Sequence, residues 1–234
     1  KFNLYNFYLN RIARIYPVHI LTFLLSLGIV TTYTSDGLIQ TIVKAVLNLG
    51  LLQTYIPVGF YSFNGPSWSL SVEMFCYLLF PFLIFYVQKN NFIKKNVLWV
   101  MLVIYLVAVG IVFLLSDFTY STWLFYVFPP FRLLDFSLGV LVLMIFINKN
   151  DESKKKNIKI PSLLEFASIF LLILAIYFSQ HIHQSFKWGT YYVPFMVFII
   201  YVFSFQSGII SKLLSSKVLI FLGEISFSFY MTHI

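Results

Sequence analysis

Residues 65–85 read GPSWSLSVEMFCYLLFPFLIF, a run that is almost wholly apolar on its C-terminal side yet carries an acid, Glu73, in its first half. About 20 apolar residues in a helix cross a hydrocarbon core of about 30 Å, and a charge at mid-bilayer costs about 2.5–3.5 kcal/mol on insertion scales. The stretch therefore reads as a transmembrane helix holding a carboxylate that has a partner or a task. Counted from Pro66, a residue suited to a helix start, Glu73 lies about two turns, or about 10 Å, along the axis. Ser69 and Tyr77 stand one turn to either side of it and share its face, so this stripe is expected to look into a helix bundle. Two accounts of Glu73 stand side by side. One is a buried carboxylate tied by hydrogen bonds to neighbouring helices; the other is a base or orienting group for a substrate.

The rest of the chain follows the same pattern. Its 234 residues are 60% hydrophobic and 21% aromatic with only 10% charged, and the mean hydropathy is +0.87. Such a composition excludes a water-soluble domain. It defines an all-α, polytopic transmembrane helix bundle, because lipid cannot satisfy free backbone groups. Apolar runs of spanning length fall at about 15–34, 67–88, 97–115, 131–147, 162–180, 188–206 and 218–234, about seven spanning helices. An eighth run, LIQTIVKAVLNLGLLQTYIP at 38–57, is less apolar and contains Gln40, Lys44, Asn48 and Gln53.

Loop charge decides how the eighth run lies. Lysine and arginine are retained on the cytoplasmic side, and they gather at 1–14, 89–95, 149–159 and 212–217, whereas the loops around Asp36, around Asp117 and at 181–187 carry a single one, Lys187. If 38–57 stays at the outer interface or re-enters, every basic loop lies inside; if it crosses, every later loop is inverted. It is therefore expected not to cross. The hydrophilic run NKNDESKKKNIK at 148–159 reads as a solvated cytoplasmic loop. The formal charge of +8 is spread over such loops rather than along one face, which points to lipid headgroups and not to nucleic acid. The opening KFNLYNFYLNRIARIYP has no signal-peptide pattern, and the chain is read as a single integral-membrane domain, 1–234, cut at both ends.

Ionisable groups at membrane depth occur in three further places. In FRLLDFSLG (131–139), Arg132 and Asp135 are three apart, so they either neutralise each other along the helix or leave the Arg fork to hold an anionic or oxygen-rich ligand. In NRIARIYP (10–17), Arg11 and Arg14 share a face at the cytoplasmic boundary, either as a topology anchor or as a clamp for phosphates. In LGEISFSFYMTH (222–233), Glu224 shares a face with Ser228, and His233 lies about 180° round the helix and about 13 Å along it, so the two are not a paired dyad. The H-I-H spacing of His181 and His183 has no third ligand nearby, His19 stands apart, and Cys76 is the only cysteine, so no metal site is expected. Neither a GxSxG elbow nor a phosphate-binding glycine loop is present.

NRIARIYP, PSWSLSVEMFCYLLFP, FRLLDFSLG and LGEISFSFYMTH, in this order and at these separations, resemble membrane-bound acyltransferase family 3, which includes O-acetyltransferases of bacterial O-antigens and other surface glycans. The resemblance covers essentially the whole chain. It implies a domain of about ten helices in the bacterial plasma (inner) membrane that passes an acyl group from a cytoplasmic donor, commonly acetyl-CoA, to a sugar hydroxyl on the outer side. Its partners would be acyl-CoA, a glycan acceptor and the bilayer, with no permanently bound cofactor. By the same resemblance Arg11 and Arg14 bind the donor, Glu73, Arg132 and His233 are catalytic, and Trp68, Ser69 and Asp135 meet the substrate. Two departures stand out. The family's histidine that follows an arginine in its first helix has no counterpart, and the second acid often found after the first is replaced by Met74. The rival readings are a transporter or flippase of a lipid-linked saccharide, for which inverted repeats would be expected, and a glycan polymerase with a long polar outer loop.

Overall fold

The computed structural model describes residues 3–33, 37–150 and 159–233. The Asp36 loop and most of the basic run at 148–159 lie outside them. In chain order the helices are α1 (Leu4–Tyr33), α2 (Leu38–Leu49), α3 (Ser67–Lys89), α4 (Asn91–Lys95), α5 (Val97–Leu114), α6 (Pro129–Asn150), α7 (Lys159–Phe178), α8 (Gln184–Phe186), α9 (Val193–Ser204), α10 (Ile209–Leu214) and α11 (Lys217–Met231). Five segments among the described residues are long and apolar enough to cross a membrane: Ser67–Lys89, Val97–Leu114, Pro129–Ile147, Pro161–His181 and Gln184–Ser204. They coincide with five of the apolar runs expected to span. The other two, 15–34 and 218–234, overlap α1 and α11. The protein is a multi-pass helical membrane protein.

The chain divides into two compact units, one of 1–82, 127–132 and 222–234, the other of 83–126 and 133–221. In the first, α1 runs antiparallel to α3. Tyr8 donates its hydroxyl proton to the Leu78 carbonyl at 3.0 Å, Phe7 stacks on Phe80 at 5.7 Å, and further along α1 Ile15 is buried with Leu51, Leu70 and Met231. Two hydroxyls inside α1 are satisfied on its own carbonyls: Thr22 donates to Val18 at 3.0 Å and Ser26 to Phe23 at 2.7 Å. This local bonding is how a spanning helix tolerates such residues.

At 12 residues, α2 extends only about 18 Å, too short to cross. One of its faces exposes Leu38, Ile39, Ile42, Val43 and Val46, while Asn48 on the other is fully buried. The helix ends at Gly50, and Leu51 takes a positive φ of 56°. That left-handed turn is tolerated because the Leu51 side chain enters the core and its carbonyl accepts the Ser71 hydroxyl. Polar side chains then fasten the segment. His19 Nε2 meets the Asn48 carbonyl at 3.0 Å, Asn48 Nδ2 donates to the Ser62 carbonyl at 2.9 Å and to Ser67 Oγ at 3.1 Å, and Gln53 Nε2 donates to the Ser67 carbonyl at 3.1 Å. His19, Asn48, Gln53, Asn64 and Ser67 are all buried, so these bonds form in a medium where an unmade one costs about 1–3 kcal/mol.

In the second unit α7 packs along α9. Tyr191 donates to the Ala175 carbonyl at 2.9 Å and Ser185 to the Ser116 carbonyl at 3.0 Å. A buried acid, Glu165, closes the junction between α7 and α10. It accepts from the amides of Gly208 (3.0 Å), Ile210 (2.9 Å) and Ser211 (3.2 Å) and from the Ser211 hydroxyl, while Ser162 Oγ accepts from the Ile209 amide at 3.2 Å. The otherwise unpaired amides at the start of a helix are satisfied in this way. The glycine at 208 follows from the fit: a Cβ there would lie 2.1 Å from the Glu165 carboxylate.

Candidate active site

The first unit contains Arg11, Arg14, Trp68, Ser69, Glu73, Arg132 and His233; Asp135, three residues further along α6, belongs to the second. The site is built outward from α3. At its start Ser67 Oγ donates to the Asn64 carbonyl at 2.6 Å and Ser69 Oγ to the Pro66 carbonyl at 2.9 Å. These turns fix the helix where the chain leaves the preceding loop, and they leave Trp68 and Ser69 half-buried. Two turns in, half-buried Glu73 accepts at Oε1 the hydroxyl proton of Tyr77, one turn ahead on the same face.

The ring of Tyr77 is engaged from α1. The Arg11 guanidinium carbon lies 4.9 Å from its centroid and 5.2 Å from that of Phe7, and Phe7 meets Tyr77 edge-on at 6.4 Å. A cation held between two ring faces is stabilised electrostatically without a carboxylate partner. Arg14, one turn further along α1, is exposed. The sequence sets Arg11 at the cytoplasmic boundary and Glu73 about two turns into its helix. In the structure the antiparallel register of α1 and α3 brings the arginine to the level of Tyr77, which is about 18 Å of helix inward from Lys89 at 1.5 Å per residue. Cation, phenol and carboxylate thus form one continuous line.

Two further groups lie on other elements of the first unit. Arg132 is half-buried in the first turn of α6, its amide bonded to the Phe128 carbonyl at 3.2 Å. The ring of Phe128 lies edge-on to Tyr55 at 6.3 Å, and Tyr55 in turn meets Phe75 of α3 at 6.1 Å. His233 follows the end of α11 and is exposed. Its position is set two residues earlier, where the Met231 carbonyl accepts from Asn64 Nδ2 at 2.8 Å. That bond fastens the His233 end to the loop from which Trp68 and Ser69 emerge.

Sequence reasoning named Tyr77 only as a face-mate of Glu73, and the i, i+4 spacing was its sole signal. Asn64, Asn48 and Gln53 gave none, since a side-chain amide does not declare its partner. Glu165 was passed over although it lies in an apolar run. Its bonds show it to be a structural acceptor. His181 and His183 are exposed, and among the described residues no three His, Cys, Asp or Glu side chains gather in a cluster able to hold a metal.

Fold and site together define a multi-pass helical membrane protein that holds a half-buried arginine–tyrosine–carboxylate line between two of its helices. The chain belongs to the acyltransferase 3 family, whose model, described as an acyltransferase domain, matches residues 1–234. It is similar to the acyltransferase MdmB of Streptomyces mycarofaciens, 28% identical over 97% of this chain and 60% of that protein. It is also similar to the O-acetyltransferase OatA of Staphylococcus aureus, 25% identical over 100% of this chain and 41% of that protein. A third relative is the putative acetyltransferase ORF330 of Acidianus two-tailed virus, 25% identical over 97% of this chain and 64% of that protein. The chain therefore spans less than two thirds of the length of each. No solved structure matches.

Proposed function

We propose that the protein transfers an acyl group, commonly acetyl, from a cytoplasmic donor such as acetyl-CoA to a sugar hydroxyl of a cell-surface or lipid-linked glycan, within a bacterial inner membrane. The observation that carries this reading is the line from Arg11 through Tyr77 to Glu73. A group suited to the phosphates of an anionic donor and a group suited to a hydroxyl are joined through one side chain. Family membership favours transfer over transport. In the reaction the acceptor oxygen attacks the thioester carbonyl. A C–O ester bond replaces the C–S bond, the hydroxyl proton passes by way of Glu73 or His233, and the thiolate leaves with a proton. Arg132 stabilises the negative charge that develops on the carbonyl oxygen, and Trp68 and Ser69 hold the sugar. Arg11 and Arg14 hold the donor.

The test uses the full-length protein in proteoliposomes, with radiolabelled acetyl-CoA on one face and glycan acceptor on the other. Label is expected on the glycan, and Glu73→Gln and Arg132→Lys are each expected to lower it strongly at equal protein level. Unchanged labelling would remove both residues from the mechanism. Glycan crossing the bilayer without label would replace transfer by transport.

A further inference from the structure

We propose that Tyr77 is a positioning residue that couples the donor-side Arg11 to the acceptor-side Glu73, a role that rests on the acyl-transfer reading above. Its hydroxyl and its ring are both engaged. The hydroxyl donates to Glu73 Oε1, and the ring receives the Arg11 guanidinium at 4.9 Å on its face and Phe7 edge-on at 6.4 Å. Packing against the core of Ile15 and Leu70 holds the ring still.

Three physical consequences follow from this geometry. A hydrogen bond to a carboxyl oxygen is directional, so Tyr77 selects one rotamer of Glu73 and occupies one of its oxygens. A carboxylate offers about four lone-pair positions, which leaves capacity for a substrate hydroxyl in a fixed orientation. The cation over the ring also draws electron density from the phenol and strengthens its donation to Glu73. When an anionic donor engages Arg11, part of that positive charge is neutralised, and the change is transmitted through a single ring to the carboxylate. Donor occupancy is thereby felt where the acceptor binds, through contacts that are all present in one helix pair.

The substitutions separate these parts. Tyr77→Phe keeps the ring, its packing and the Arg11 contact and removes only the hydroxyl. It is expected to lower kcat by about 10- to 100-fold, the range for losing orientation of a reacting group, with little change in the KM for acyl-CoA. Tyr77→Leu removes the ring as well and is expected to raise the KM for acyl-CoA in addition. Tyr8→Phe deletes an equivalent hydroxyl from the same helix pair, one that bonds only the Leu78 carbonyl, and is expected to leave kcat unchanged. The deciding measurement is the double variant Glu73→Gln/Tyr77→Phe. If Tyr77 acts through Glu73, the double variant is no slower than Glu73→Gln alone. A kcat for Tyr77→Phe equal to that of the native protein, or losses that multiply in the double variant, would overturn the coupling role while leaving acyl transfer standing. Absence of transfer by the native protein with any acyl-CoA would overturn both.

Discussion

Asn64, in the loop before α3, donates its side-chain amide to the carbonyl of Met231 at 2.8 Å, across 167 positions of sequence. The bond is wholly buried, and it sets the end of α11, with His233, beside the start of the helix that carries Glu73. Asn64→Leu should therefore lower thermal stability by about 1–3 kcal/mol, the usual cost of a buried polar group left unpaired. It should also reduce acyl transfer by more than the same loss of stability imposed elsewhere in the protein. Thermal unfolding in detergent together with initial rates at a temperature where both proteins are folded would check this. Equal effects on rate from an unrelated substitution of the same stability cost would show that the His233 end needs no such tether.

The α2 segment makes a second prediction. Asn48 donates to both Ser62 and Ser67, and its own carbonyl meets His19. Asn48→Ala deletes both side-chain bonds while the backbone bond to His19 remains, whereas His19→Phe deletes that one alone. Asn48→Ala is expected to be the more destabilising, by about 1 kcal/mol for the additional bond lost. Limited proteolysis of the 50–66 loop in nanodiscs, compared between the two variants, would report the difference as a change in cleavage rate.

A third prediction concerns Glu165 and Gly208. Glu165→Ala leaves three amides and a hydroxyl without their acceptor, at about 1–3 kcal/mol for each that water cannot reach. Gly208→Ala forces a methyl group onto the carboxylate and should be comparably damaging. Because both act on the same few cubic ångströms, the double variant should be far less than additive. Melting temperatures of the two single variants and the double variant decide the matter, and additivity would mean that the steric conflict is relieved elsewhere.

The arginines should differ as well. Arg11 is held over two rings, whereas Arg14 is exposed. Arg11→Ala should raise the KM for acyl-CoA by about tenfold, corresponding to about 1.4 kcal/mol. Arg14→Ala should raise it less, with an effect that fades in high salt because exposed charges are screened. Initial-rate kinetics at low and high ionic strength would separate them, and equal, equally salt-sensitive effects would argue that both merely attract the donor.

The membrane class, five of the spanning segments and the shortness of α2 were legible because they depend on totals of apolar length set against bilayer thickness. What pairs with what was not. The line from Arg11 to Glu73 depends on the register of α1 against α3, set by Phe7, Tyr8, Leu78 and Phe80, and no local spacing encodes it. Asn48 and Gln53 look merely polar until Ser67 is found between them. Glu165 escaped notice because its donors are backbone amides from a segment more than forty positions away, and amides carry no sequence signature.

The last point bears on where the protein can work. At Glu165 a carboxylate is matched by main-chain dipoles and a serine instead of by lysine or arginine. Mobile ions weaken attractions between exposed charges but scarcely reach amide hydrogen bonds enclosed by helices. The joint between α7 and α10 should therefore hold equally well at low and at high ionic strength.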